Sequence, residues 1–279
     1  MELLKSHGLG NDYLVLLSGS VPAEAGIRAL CHRTRGLGSD GLLVRVDSQV
    51  ADYGLRIFNP DGGEAEKSGN GLRIFARWLV DHRGAPERFS VETKGGLVRC
   101  TVRPDDVSVE MGRATFIGPQ VPVLLPGEVV EHTLRAAGEE FTFTAVGIGN
   151  PHCVIFRQEP LLDGLRWRRW APVLERHPLF PNRTNVQFAR HLGGQRLEIR
   201  VWERGAGETS ASGSSSCAVA AAAVRTGRCQ PGRIDLQMPG GALRVDVSPD
   251  YDIVLTGPVE EVGVFRPSAS WCNAHGLEP

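Results

Sequence analysis

The stretch GEAEKSGNG, Gly63–Gly71, decides the reading of this chain, because GETSASGSS, Gly207–Ser215, answers it. Each places a serine directly before a glycine at the mouth of a helical pattern. The first pattern is Gly69–His82 (GNGLRIFARWLVDH) and the second Gly213–Thr226 (GSSSCAVAAAAVRT). Working outward, the correspondence continues. Arg56-Ile57-Phe58 answers Arg200-Val201-Trp202 at the same offset that carries Gly63-Glu64 onto Gly207-Glu208 and Ser68-Gly69 onto Ser212-Gly213. A shift of one residue then aligns GGLVR at Gly95 with GGALR at Gly240, Pro104-Asp105 with Pro249-Asp250, and Gly112 with Gly257. Near the starts, GLGN (Gly8–Asn11) resembles GIGN (Gly147–Asn150). Matches in one order and at nearly constant spacing predict two similar domains. They join near the turn-rich ATFIGPQVPVLLPGE, Ala114–Glu128. The expected division is 1–114 plus 264–279 for the first domain and 115–263 for the second.

Short β-branched runs dominate both halves and read as strands. They include YLVLL, LLVRV, GLRIF, LVRCTV and VSVEM, then FTFTAV, HCVIF, NVQFA, RLEIRVW, ALRVDV and YDIVL. Helical patterns are few: one near Ile27–His32 and the two already named. The Gly213 helix is small or apolar nearly all round, which predicts burial on every side. Strand-rich halves with a buried helix each predict an α+β fold rather than a parallel α/β sheet.

The bulk numbers narrow the partners. A net charge of -1 argues against nucleic acid or an anionic membrane surface as the main partner. No apolar run approaches the roughly 20 residues of a membrane span. No basic region followed by an apolar one opens the chain, so a cytoplasmic location is expected. The six cysteines, Cys31, Cys100, Cys153, Cys217, Cys229 and Cys272, form no C-x-x-C pair and read as reduced, buried thiols. GLGSDG, Gly36–Gly41, matches a dinucleotide fingerprint, but it precedes a strand and so reads as a turn; nicotinamide binding is not expected. No metal-ligand spacing is evident.

Helix N-termini carry free backbone N–H groups and partial positive charge. They are ready sites for a carboxylate, and glycines allow close backbone approach. Two equivalent mouths can hold an amino acid by its α-carboxylate, with one group on either side of its α-carbon. Serine before each helix equally suits an ordinary N-cap.

KSHGLGNDYLVL, GLGSDGLL, RIFNPDGGEAEKSGNGLRIFARWL, GIGNPHCVIF, FPNRTNVQFA and WERGAGETSASGSSSCAVA resemble, in order, the successive motifs of the diaminopimelate epimerase family. The resemblance implies two similar α+β domains, each a barrel-like antiparallel sheet round a central helix, with the site in the cleft between them. It implies cofactor-independent interconversion of LL- and meso-diaminopimelate, serving lysine and cell-wall synthesis, with no pyridoxal phosphate and no metal. By position, Asn11, Asn59, Asn150 and Asn185 would meet the polar groups of the small amino-acid substrate. Glu203 and Arg204 would lie beside them at the substrate, Arg204 pairing with its distal carboxylate in a bidentate way. Backbone N–H groups around Gly69-Asn70 and Gly213-Ser214 would hold the α-carboxylate. His152 and Glu203 would orient or polarise the acid/base pair. A homodimer is left open.

The resemblance demands a cysteine at each helix mouth, and this chain has Ser68 and Ser212. A thiol at a helix N-terminus reaches a pKa of about 3.5–7.5, whereas a serine hydroxyl needs a base to assist it. A basic form costlier by about five pKa units slows proton abstraction by about 10⁵. Cys217 lies about 140° round the helix from Ser212, and Cys153 is expected to face away from His152, so neither replaces the missing thiols. Ser215 stands where the family usually has glycine. Two other readings follow from the serines: a dehydratase, lyase or isomerase with a single acid/base, or a protein that binds an amino acid without chemistry.

Overall fold

The computed structural model describes residues 1–159 and 166–279. The chain divides into two compact units, Met1–Val109 with Gly257–Pro279, and Glu110–Thr256. Both divisions fall a few residues before the expected boundaries, the first of them inside the strand Val107–Arg113.

Unit 1 begins with β1 (Glu2–Gly8), β2 (Asn11–Ser18), α1 (Glu24–Cys31), β3 (Leu42–Val46) and β4 (Tyr53–Phe58). It continues through β5 (Glu64–Ala65), α2 (Gly69–Arg83), β6 (Arg88–Thr93), β7 (Gly96–Val102) and the start of β8 (Val107–Arg113), whose residues from Glu110 on belong to unit 2. Unit 2 opens with β9 (His132–Ala136), β10 (Glu139–Gly147), β11 (Pro151–Phe156), α3 (Arg166–Glu175), β12 (Asn185–Gly193) and β13 (Arg196–Glu203). Then come β14 (Gly207–Thr209), α4 (Gly213–Arg225), β15 (Gly232–Met238), β16 (Gly241–Val247) and β17 (Asp252–Gly257). The chain returns to unit 1 with β18 (Glu260–Phe265) and α5 (Ala269–Ala274).

The pairings repeat element by element. In unit 1, β1–β2, β3–β4, β4–β5, β6–β7 and β7–β8 are antiparallel, and β2–β3 and β4–β6 are parallel. In unit 2, β10–β11, β12–β13, β13–β14, β15–β16 and β16–β17 are antiparallel, and β11–β12 and β13–β15 are parallel. The expected antiparallel sheet therefore carries two parallel joints in each unit. Parallel neighbours cannot be joined by a tight hairpin and need a crossover. In unit 1, α1 and α2 supply these crossovers; in unit 2, α3 and α4 do. Each unit adds one strand, β18 beside β1 and β9 beside β10.

The helices of the two mouths are the buried ones. Helix α2 buries Gly69 through Ala76 together with Trp78 and Leu79, and packs on β1, β2 and β7. Helix α4 buries Ser215 through Ala223 and touches β10, β11, β12, β13, β15 and β16. Its alanines leave room for strands on every side. The outer helices cover other sheet faces. Ile27 and Leu30 of α1 join Leu3, Leu14, Leu42, Cys272 and Leu277. Trp167, Trp170 and Leu174 of α3 join Phe141, Val186 and Phe188. Each such side chain, fully buried, stabilises by roughly 1.5–3 kcal/mol. Among the described residues, no helix is long and apolar enough to cross a membrane.

Candidate active site

In unit 1, Ser68 is the N-cap of α2, with φ -139° and ψ 120°. Its Oγ accepts the Gly71 N–H at 3.0 Å, and its carbonyl accepts the Leu72 N–H at 2.9 Å. Those bonds use the third and fourth N–H groups of the helix. The N–H groups of Gly69 and Asn70 have no acceptor within the helix and are the ones a carboxylate can claim. A Cβ on Gly71 would press on Leu43 at 3.1 Å and on the Ser68 side chain at 3.3 Å, so glycine keeps the cap tight. The Tyr13 hydroxyl lies 3.0 Å from Ser68 Oγ.

The asparagines of unit 1 differ in setting. Asn11 opens β2, and its Oδ1 accepts a hydrogen bond from Asn70 Nδ2 at 2.8 Å. Asn70 is buried and Asn11 half-buried. Asn59 is exposed just past β4, in a turn closed by its N–H on the Gly63 carbonyl at 2.8 Å.

In unit 2, Ser212 repeats the cap, with φ -145° and ψ 125°, and its Oγ accepts from the Ser215 N–H at 3.5 Å. Its carbonyl accepts the Ser216 N–H at 3.1 Å. Gly213 and Ser214 supply the N–H groups without an intrahelical acceptor. The two mouths are thus one local structure built twice. They differ in burial: Ser68 is half-buried, and Ser212 is almost wholly enclosed.

His152 is fully buried on β11. Gln187 Nε2 lies 2.9 Å from His152 Nδ1 and also donates to Ser215 Oγ at 2.9 Å. An amide nitrogen only donates, so Nδ1 is an acceptor and the ring proton sits on Nε2. Nε2 then donates to Asn150 Oδ1 at 2.7 Å. Burial, then the Arg204 charge, push the His152 pKa down to about 3, with the Gln187 bond opposing. The ring is neutral. Both of its nitrogens are engaged within the unit, and its link to the α4 mouth runs through Gln187 and Ser215.

Asn185 is buried, with Nδ2 on the Pro151 carbonyl at 3.0 Å and Oδ1 accepting the Arg204 N–H at 2.9 Å. It holds the backbone that carries Arg204, whose side chain is exposed and donates to the Asn182 carbonyl at 3.3 Å. Glu203 ends β13, half-buried, and Asn150 is half-buried before β11.

All six cysteines are buried. Cys153 belongs to the core cluster with Trp167 and Phe188, and burial pushes its thiol well up. Cys217 is enclosed in α4. Tyr13 and Gln187 escaped the sequence reading. The repeat contained the signal for Tyr13, since GLGN-Asp12-Tyr13 lies on GIGN-Pro151-His152. Gln187 sits two residues along β12 from Asn185, hence on the same sheet face. Among the described residues, no group of three His, Cys, Asp or Glu side chains is arranged to hold a metal ion.

The profile of the diaminopimelate epimerase family matches residues 3–117 and 144–262. A protein named diaminopimelate epimerase 2 from a Nostoc species is 45% identical over 274 residues, covering 94% of each chain. A diaminopimelate epimerase from Desulfitobacterium hafniense is 41% identical, covering 94% of this chain and 96% of its own. Among solved structures, a probable proline racemase from Agrobacterium radiobacter K84 superposes with a TM-score of 0.73 at 16% identity, covering 96% of this chain and 92% of its own. A hydroxyproline epimerase from Agrobacterium vitis gives 0.72 at 17%, covering 95% and 91%. These two share the fold. The match to the family profile and the relatives above 40% identity, each spanning nearly the whole sequence, establish that this chain belongs to the diaminopimelate epimerase family.

Proposed function

We propose that this chain binds diaminopimelate and interconverts its LL and meso forms at the α-carbon without a cofactor, with hydroxyls where the resemblance demands thiols. One of Ser68 and Ser212 takes the α-proton, and the other returns one to the opposite face. The observation that carries this reading is the duplicated mouth. Each serine caps a buried helix with the same backbone geometry, beside N–H groups able to hold a carboxylate. Asn11, Asn59, Asn150, Asn185, Glu203 and Arg204 are assigned to substrate, Asn185 by fixing Arg204. His152, being neutral, contributes its Nε2 proton to the orientation of Asn150 rather than acting as a base. The buried cysteines suit a reducing, cytoplasmic setting.

Turnover is expected to be slow, by about 10⁵ relative to a thiol site. The test is incubation with LL-diaminopimelate in D₂O, following α-deuterium and configuration. Deuterium uptake with inversion supports the assignment. Binding without uptake supports a ligand-binding role, and absence of binding overturns the substrate. Ser68→Cys with Ser212→Cys is expected to raise inversion by several orders of magnitude; no gain from the pair would mean that the site serves other chemistry.

One contact favours a second reading. Ser68 Oγ meets the Tyr13 hydroxyl as well as the Gly71 N–H, whereas among the described residues Ser212 Oγ meets the Ser215 N–H. A base on one side only exchanges the α-proton with retention. Deuterium uptake without inversion, lost in Tyr13→Phe, would select it.

A further inference from the structure

Asn11 and Asn70 stand inside a hydrogen-bond chain with a fixed direction. At one end, the Arg73 guanidinium donates to Asn70 Oδ1. Asn70 Nδ2 donates to Asn11 Oδ1 at 2.8 Å, and Asn11 Nδ2 donates to Asp40 Oδ2 at 2.7 Å. An arginine can only donate and a carboxylate can only accept. The two ends therefore fix both amides between them; reversing either one would set donor against donor or acceptor against acceptor. Both ends are themselves anchored. Arg73 is fully buried and also donates to the Pro258 carbonyl at 2.9 Å. Asp40 Oδ2 accepts the Asp12 N–H at 3.0 Å, and its Oδ1 takes Arg33 at 2.6 Å. Arg33 in turn joins Asp12 at 2.7 Å, and Lys5 meets Asp12 at 3.0 Å. A chain fixed at both ends by charge loses little entropy when a ligand arrives.

We propose that Asp40 and Arg73 are positioning residues, which hold the side-chain amides of Asn11 and Asn70 with each oxygen facing a protein donor and one N–H of each, without a protein acceptor among the described residues, turned to an acceptor on the ligand. This role for Asp40 gives GLGSDG a function beyond its turn. It rests on the reading that Asn11 and Asn70 meet the substrate.

The test combines calorimetry with LL-diaminopimelate and side-chain amide spectra of ¹⁵N-labelled protein. Asp40→Ala is expected to weaken binding by about tenfold or more, the scale of one hydrogen bond to a charged group. It should also move the Asn11 and Asn70 side-chain amide resonances. Asp40→Asn, which keeps an acceptor oxygen, is expected to lie between wild type and Asp40→Ala in both readouts, and it serves if Asp40→Ala does not fold. Asp12→Asn, which alters the charge cluster but leaves the chain intact, is expected to bind as wild type does. Wild-type affinity in Asp40→Ala, with binding abolished in Asn11→Ala, overturns the positioning role alone. Unmoved amide resonances overturn it as well. No binding by the wild type, with the amides still responding to Asp40, sinks the substrate reading and the ligand role with it.

Discussion

His152 shows how a single side chain is disarmed by its setting. A neutral ring between Gln187 and Asn150 spends both nitrogens on hydrogen bonds, and burial makes a second proton costly. The linkage has a definite sign. The folded pKa is about 3 against an ordinary 6.5. Between those values the unfolded chain binds a proton that the folded chain refuses. The stabilisation is complete above the unfolded value and is lost as pH falls towards the folded one. The slope from this group is about 1.4 kcal/mol per pH unit in that window. Denaturant melts from pH 7 to pH 4 are expected to show stability falling with acid, and His152→Gln to flatten that fall. An equal slope in the variant would place the acid sensitivity elsewhere.

At the scale of elements, the two mouths follow from ordinary cap chemistry. Ser68→Ala and Ser212→Ala are each expected to lower stability by about 1 kcal/mol through the lost cap, with Ser68 showing the clearer effect because its bond is shorter. Urea midpoints measure this directly, and a gain in stability from either change would show that the cap is strained. Helix α4 tolerates no growth. Ala221 is fully buried, so Ala221→Leu is expected to cost about 1–3 kcal/mol through overpacking. Both central helices were legible, because a serine-glycine mouth precedes each and α4 is small all round. Helix α3 was not, although Trp167, Trp170, Ala171 and Leu174 keep helical spacing. Pro172 and four arginines or acids in RWRRWAPVLE hid the apolar stripe. Strand β1 was missed because Lys5 and His7 interrupt its apolar run; Lys5 spends its charge on Asp12 and on the carbonyls of Leu37 and Gly38. Partners distant in sequence cannot be read from local pattern.

At the scale of the whole molecule, the internal repeat carried most of what the sequence revealed. It named the paired helix mouths and implied two similar units, and the strand pairings repeat accordingly. What it could not reveal was which side chains face one another across each unit. Asn11 with Asp40, Asn70 with Asn11 and His152 with Gln187 are contacts made by folding, not by spacing. The two units differ in how the chain completes them. Unit 2 is one continuous segment, Glu110–Thr256, whereas unit 1 needs Gly257–Pro279 to complete it. Those last residues add β18 beside β1 and bring Cys272 and Leu277 into the core with Ile27 and Leu30. A Cβ on Gly26 would strike Leu277, so α1 is shaped to receive this segment. A chain ending at Thr256 therefore leaves β1 with an open edge and apolar surface uncovered in unit 1 alone. Limited proteolysis of that truncated chain is expected to digest residues 1–109 while sparing much of 110–256. Equal resistance of both segments would show that the unit 1 core stands without its C-terminal return.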